Sequence, residues 1–344
     1  MASKYKAAVW TDINKVQIEE RPIPLPGAGK VLLEIKAAGI CGTDLHILGG
    51  KHPEAKPPLV IGHEFSGRIV EVGKGVDKKL IGDRVGCDSY IGCNECKYCL
   101  SGQPQLCEKG TCELGVNIDG GWAEYVVAPV ENLYTLPETV NFLEAGAGCI
   151  LNCPMAAIEA VKIEAGDIVL ILGDGPSSLI MVQLAILKGA SKVIVSGHRK
   201  RRLDLAIELG ADKVINTHTE DMNEAIASLA SAPNVVIDAV GKSETFASAL
   251  SLAAKRGRIH IFGLPEGPVN NIPLDQFLWK ELTLKSSTGA PALWPVAMNL
   301  MSKGLLKVEP LITHRFALDK ASEALEYIRN NSKEIIKAVF DMDK

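Results

Sequence analysis

From about Asp167 the chain settles into one repeated rhythm, and that rhythm constrains its fold more than any other feature. A short apolar run is followed by a glycine turn, a helical stretch and another apolar run, with a period near 25 residues. Ile168–Leu172 is the first run, and the turn Gly173-Asp174-Gly175-Pro176-Ser177-Ser178 leads into a helical stretch over Leu179–Lys188. Lys192–Ser196 reads as the second strand, and Arg201–Leu209 as an amphipathic helix closed by Gly210. Further strands are expected at Lys213–Ile215, Val235–Asp238 and Arg258–Phe262. Strands alternating with helices pair in parallel through right-handed crossovers, so this segment predicts a doubly wound parallel α/β sheet.

The first 150 residues have a different texture, with short strands such as Val31–Lys36, Gly67–Val72 and Trp122–Val127 set between glycine and proline signals. Beyond Leu284, helices near Pro295–Ser302 and Lys320–Asn330 lead to a strand at Ile336–Phe340. This tail can return to the first domain. The expected division is a β-rich domain over 1–150, completed by 286–344, and an inserted nucleotide domain over 151–285. A length of 344 residues suits two cores better than one.

A net charge of −4 argues against an electrostatic nucleic-acid partner. No secretory signal is visible at the N-terminus. The longest apolar stretch, Ile168–Leu187, is broken by Gly173, Asp174, Gly175 and Pro176 and does not read as a membrane span. The nine cysteines, an odd number, fit a reducing compartment rather than a disulfide framework. A soluble, cytoplasmic protein is expected.

Cysteine spacing carries the sharpest chemical signal. Cys93, Cys96, Cys99 and Cys107 form C-x2-C-x2-C-x7-C on a glycine-flanked loop. Four thiolates so close together can close a tetrahedron around Zn²⁺ and leave no open position, which is the mark of a structural site. Cys87 and Cys112 have no partner spacing and read as ordinary buried residues. A dispersed set, Cys41, His63 and Cys149, supplies the Cys₂His donors of an open catalytic zinc, though each residue alone is weak evidence.

The segments CGTDLH (41–46), GHEFSG (62–67), GDRV (82–85), the four-cysteine loop and the late LITHRF (311–316) occur in the order and at the spacings of one family. The chain resembles the zinc-containing medium-chain alcohol and polyol dehydrogenases, in the branch of sorbitol and threonine dehydrogenases. The resemblance implies a GroES-like catalytic domain and a Rossmann domain, with two zinc ions per chain. It matches Cys41 and His63 to the first two catalytic zinc ligands. Counting back about eighteen residues from Asp167 places the third at Cys149, with Cys153 as the fallback. Glu64 resembles a glutamate that can swing onto the zinc, and Asp44 a carboxylate that orients the zinc histidine. Thr43 and His46 match a proton relay that leads, through the cofactor ribose, to solvent. Family precedent also implies a homodimer or homotetramer joined through the nucleotide domains.

Gly173 suits the tight turn of a dinucleotide site, and Gly175 a close backbone approach to pyrophosphate at the helix start beside Pro176. Ser178 stands where a third glycine is usual and is small enough for close packing. At the end of the second strand, Ser196-Gly197-His198-Arg199 has glycine where an NAD enzyme usually carries an acid. With no carboxylate to repel a 2′-phosphate, and Arg199 two residues on, NADP(H) is expected over NAD(H). One charge-assisted bond contributes roughly 1.5–3 kcal/mol to such a preference.

For substrate, Gly289 and Ala290 stand where threonine and sorbitol dehydrogenases carry an arginine, which argues against threonine and weakens sorbitol. A small secondary alcohol, diol or polyol, or its ketone, is expected. An NAD-dependent threonine or sorbitol enzyme and a non-catalytic NADP(H) sensor stand as alternatives. Ile47, Leu48, Phe65 and Trp294 stay open between pocket wall and plain core.

Overall fold

A computed structural model describes residues 4–344 apart from Glu266, Val269 and Asn271, and at Cys149 the backbone alone. The chain divides into two units, Met1–Cys149 with Trp294–Lys344, and Ile150–Leu293. It re-enters the first unit at Trp294, later than the expected 286, because the strand Thr283–Ser286 still belongs to the second unit's sheet.

Lys30–Ile40 is the spine of the first unit. Phe65–Val72 pairs antiparallel along one edge, while Tyr125–Pro129 takes the first half of the other edge and Lys337–Asp341 the second. Three partners bury nearly the whole strand, so its apolar residues run almost continuously rather than alternating. The sheet is extended by Arg84–Cys87 and Leu133–Thr135 at one end and Ile312–Phe316 at the other. The tail therefore does return, as an internal strand rather than a decoration. Below the sheet, Trp122 and Phe340 meet edge to face at 5.1 Å, with Phe65 fully buried in the same core. Ile47 and Leu48 lie in that core as well. Trp294 is also buried: its indole N–H donates to Asp88 Oδ2 at 3.0 Å and its ring stacks on Tyr134.

The second unit carries six parallel strands. In sheet order they are Lys213–Asn216, Lys192–Gly197, Ile168–Leu172, Val235–Asp238, Arg258–Ile261 and Thr283–Ser286. The order reverses beside Ile168–Leu172, which makes the carboxyl end of that strand a binding crevice. The helix that follows this strand is Pro176–Leu187, starting earlier than the periodicity predicts, because proline's fixed φ and missing N–H suit the first helical position. Thr283–Ser286 was not expected: all four residues are exposed at the sheet's edge, so no apolar run announces them. Among the described residues no helix is long and apolar enough to cross a membrane.

Candidate metal centres and dinucleotide site

Where the spine strand ends, Cys41 caps the short helix Gly42–Leu48. The cap is closed by Asp44, whose Oδ2 accepts from the Cys41 N–H at 2.8 Å. Its Oδ1 meets His63 Nδ1 at 3.0 Å, and the whole side chain is buried. A buried carboxylate is stable only when paired, so one group locks the strand–helix junction to the loop that carries His63. Gly62, just before it, has φ +95°, and a Cβ there would come within 2.1 Å of the Trp122 indole. Only glycine fits, and the indole thereby sets the path of the chain into His63.

Cys41, His63 and Glu64 each offer a ligand atom, all within 4.8 Å of one another. Burial opposes a charge on His63, but Asp44 outweighs it and holds the imidazole pKa well above its usual value. Burial pushes the Glu64 carboxyl up to about 7 even though Lys337 Nζ lies 2.5 Å away. Lys337 is equally buried and comes from the returning strand. Thr43 Oγ1 lies 3.9 Å from Cys41 Sγ, and His46 follows one turn along the same helix, partly exposed. Cys149 opens the helix Cys149–Val161, with its side chain outside the described residues. The thiol of Cys153 donates to the Thr288 carbonyl at 3.2 Å.

The second cluster stands on a two-strand stem, Tyr90–Ile91 against Cys112–Glu113. Cys93, Cys96, Cys99 and Cys107 bring four sulfurs within 4.8 Å of one another, with Cys93 and Cys99 at 3.9 Å. Backbone N–H groups of Cys99 and Glu108 draw the Cys96 thiol down to about 6, and that of Lys109 lowers Cys107. Thiolates are the form a metal takes. Cys87 is buried as expected, whereas Cys112 is exposed. Both donor sets fit zinc: four sulfurs make a closed site, and a thiol beside an imidazole makes an open one.

In the second unit, Gly173 turns the chain with φ +113° and donates to the Ser196 carbonyl at 2.9 Å. Gly175 precedes the helix, Pro176 opens it, and Ser178 is fully buried where close packing was expected. At Gly197 the sequence expectation needs correction. No side chain leaves that residue, yet a carboxylate is present: Asp174 reaches across from the glycine turn. Its Oδ2 accepts from the N–H groups of His198 and Arg199, both at 2.8 Å. Its Oδ1 accepts from Arg199 Nη1 at 3.0 Å, with Arg202 Nη1 at 3.6 Å. His198 stacks on His218, their centroids 4.8 Å apart. Sequence reasoning missed Asp174 and Lys337. Asp174 sat in plain view beside the acid-free Gly197, while nothing in the apolar run around Lys337 marks its Glu64 partner.

The alcohol dehydrogenase GroES-like domain family matches residues 27–138, and the zinc-binding dehydrogenase family matches 178–303. L-threonine 3-dehydrogenase of Bacillus licheniformis is 34% identical over 90% of this chain and 90% of its own length. An alcohol dehydrogenase structure (rspB) from Escherichia coli CFT073, complexed with NADH, superposes with TM-score 0.91 at 34% identity, covering 99% of this chain and 100% of that one. A zinc-binding dehydrogenase from Sinorhizobium meliloti 1021 bound to NADP gives TM-score 0.91 at 33% identity, covering 98% and 99%. The chain belongs to the zinc-containing medium-chain alcohol and polyol dehydrogenases, enzymes that use a nicotinamide cofactor to act on CH–OH groups.

Proposed function

We propose that the protein interconverts a small secondary alcohol, diol or polyol with its ketone at a zinc held by Cys41, His63 and Cys149. The observation that carries this reading is the buried Asp44 carboxylate, which binds both the Cys41 backbone and His63 Nδ1. With Nδ1 so occupied, Nε2 is the ring nitrogen left to serve as ligand. A zinc held there would supply Lewis acidity to the alcohol oxygen, and a bound nicotinamide would supply the hydride acceptor. Thr43 Oγ1 takes the hydroxyl proton, and His46, three residues on along the same helix, releases it to solvent. Glu64 is the carboxylate that can move between the metal and Lys337. The four-cysteine loop holds a second, structural zinc.

Gly173, Gly175 and Pro176 form the turn that would hold the pyrophosphate, with Ser178 packed behind it, and Ser196, Gly197, His198 and Arg199 would form the adenosine end. The NADP(H) preference expected from the sequence rested on Arg199, which here is bound to Asp174, and the solved relatives carry either NADH or NADP. Its other premise, a missing carboxylate, does not survive the position of Asp174. Leu274, Leu278 and Trp279 lie exposed in the unit that also exposes the edge strand Thr283–Ser286, which supports a homo-oligomer joined through the nucleotide unit.

A panel of secondary alcohols, diols, polyols, polyol phosphates and L-threonine, run with both dinucleotides, tests the substrate class. Turnover of a secondary alcohol or polyol is expected. L-threonine as the best substrate would overturn the choice, since Ala290 offers its carboxylate no cation.

A further inference from the structure

The adenosine end of the dinucleotide site contains an arrangement that the glycine-rich turn and the strand end do not separately suggest. In a parallel sheet of this kind, an acid at the end of the second strand takes the ribose hydroxyls. Here that position is Gly197, and the reason is steric. A Cβ at Gly197 would lie 2.4 Å from Asp174 Cβ and 2.5 Å from its Oδ2. The Asp174 side chain occupies the space that residue 197 would fill, so acid and glycine have exchanged places across two adjacent turns.

Asp174 is also seated as an anion. Two convergent backbone N–H groups, one guanidinium at hydrogen-bond distance and a second within ion-pair distance surround a side chain only 3% exposed. Burial alone would raise its pKa, but the two N–H groups and the two guanidinium charges bring it below the ordinary carboxylate value. Burial lowers Arg202 to about 10, which leaves it a cation at neutral pH. The group is thus an ionised carboxylate sitting on adjacent amide donors and an arginine. Those are the donors that a ribose 2′-phosphate would need.

We propose that Asp174 is the residue that chooses the dinucleotide: its carboxylate fills the anion seat formed by His198, Arg199 and Arg202, and so holds the protein to NAD(H). A buried carboxylate whose oxygens are already taken by these donors does not repel the uncharged ribose diol of NAD(H). Against a 2′-phosphate it sets like charge on like charge and withholds Arg199. Arg199 is in this account the partner of Asp174 rather than a free phosphate ligand. The inference rests on the reading of this crevice as the dinucleotide site.

The test is a binding titration of NADH and NADPH, by calorimetry or protein-fluorescence quenching, on the wild-type protein and Asp174→Asn. Asparagine keeps an oxygen for the two N–H groups but removes the charge. The wild type is expected to bind NADH at least tenfold tighter than NADPH. In Asp174→Asn the ratio of the two dissociation constants is expected to shift toward NADPH by roughly ten- to a hundredfold. Wild-type preference for NADPH, which needs no variant to measure, would overturn the proposal. So would an unchanged ratio in a folded Asp174→Asn protein. If neither dinucleotide binds the wild type, the site reading itself fails and takes the proposal with it.

Discussion

The four-cysteine loop and the Cys41–His63 cluster gather similar donors by opposite routes. In the loop, the four cysteines lie within fifteen residues of one another, three of them partly exposed, on a stem of two short strands. The other cluster draws on residues 41, 63 and 64, with Lys337 behind them, so its geometry exists only once the sheet has closed. Local spacing suffices to build a closed metal site, where the metal itself organises the loop. An open site must be held by the protein, and here the holding is done by buried carboxylates and by the indole over Gly62. The first arrangement should therefore fail as stability and the second as chemistry.

The largest expected effect separates them. His63→Ala should lower kcat/KM by at least about 10³-fold, since a misplaced or lost Lewis acid forfeits several kcal/mol of transition-state stabilisation. Its melting temperature should fall by only a few degrees, since Asp44 loses the imidazole but keeps its bond to the Cys41 N–H. Cys99→Ser should do the reverse, lowering Tm by roughly 10 °C through loss of the loop metal. Its kcat, per zinc-loaded folded protein, should stay within about threefold. Metal content, melting curves and steady-state kinetics on both variants decide the matter, and a catalytic collapse in Cys99→Ser with normal Tm would reverse the two roles.

Asp44→Asn probes how the open site is held. Asparagine preserves the cap on the Cys41 N–H but removes the charge facing His63 Nδ1. Affinity for the catalytic zinc should fall by about 10- to 100-fold, measured by competition with a chromogenic chelator. Affinity at the four-cysteine loop should not move. Equal loss at both sites would mean that Asp44 acts on folding in general rather than on its histidine.

The same contrast explains what was legible in the sequence. The parallel sheet was readable because strands covered on both faces are continuous apolar runs, as at Ile168–Leu172 and Val235–Asp238. Its edge strand Thr283–Ser286 was not, since an exposed strand carries no such run. The four-cysteine cluster followed from spacing alone, while Cys41 and His63 needed the surrounding segments to give them meaning. Long-range pairings stayed hidden. Lys337 looks like any lysine entering a strand, and the link from Asp174 to Arg199 depends on two turns meeting. The absence of an acid at Gly197 was visible, but its replacement from a different turn is a fact of packing.

The smallest effect comes from comparing two buried aspartates of the first unit. Asp44 faces an imidazole that can carry positive charge, whereas Asp88 accepts from the neutral N–H groups of Trp294 and Tyr90. Burial raises the Asp88 carboxyl to about 6 in spite of these bonds. The folded protein therefore keeps this proton between about pH 4 and 6, where the unfolded chain has already released it. Because the unfolded state binds fewer protons there, the Asp88 contribution makes stability fall as pH rises through that window, then level off. Asp88→Asn cannot ionise and still offers an oxygen to the indole, so that part of the slope should vanish. The variant should match the wild type near pH 4 and melt a few degrees higher at pH 7. Melting curves from pH 4 to 8 test this. A variant that loses stability at pH 7 instead would show that the Asp88 charge is compensated, as that of Asp44 is, and would erase the distinction between them.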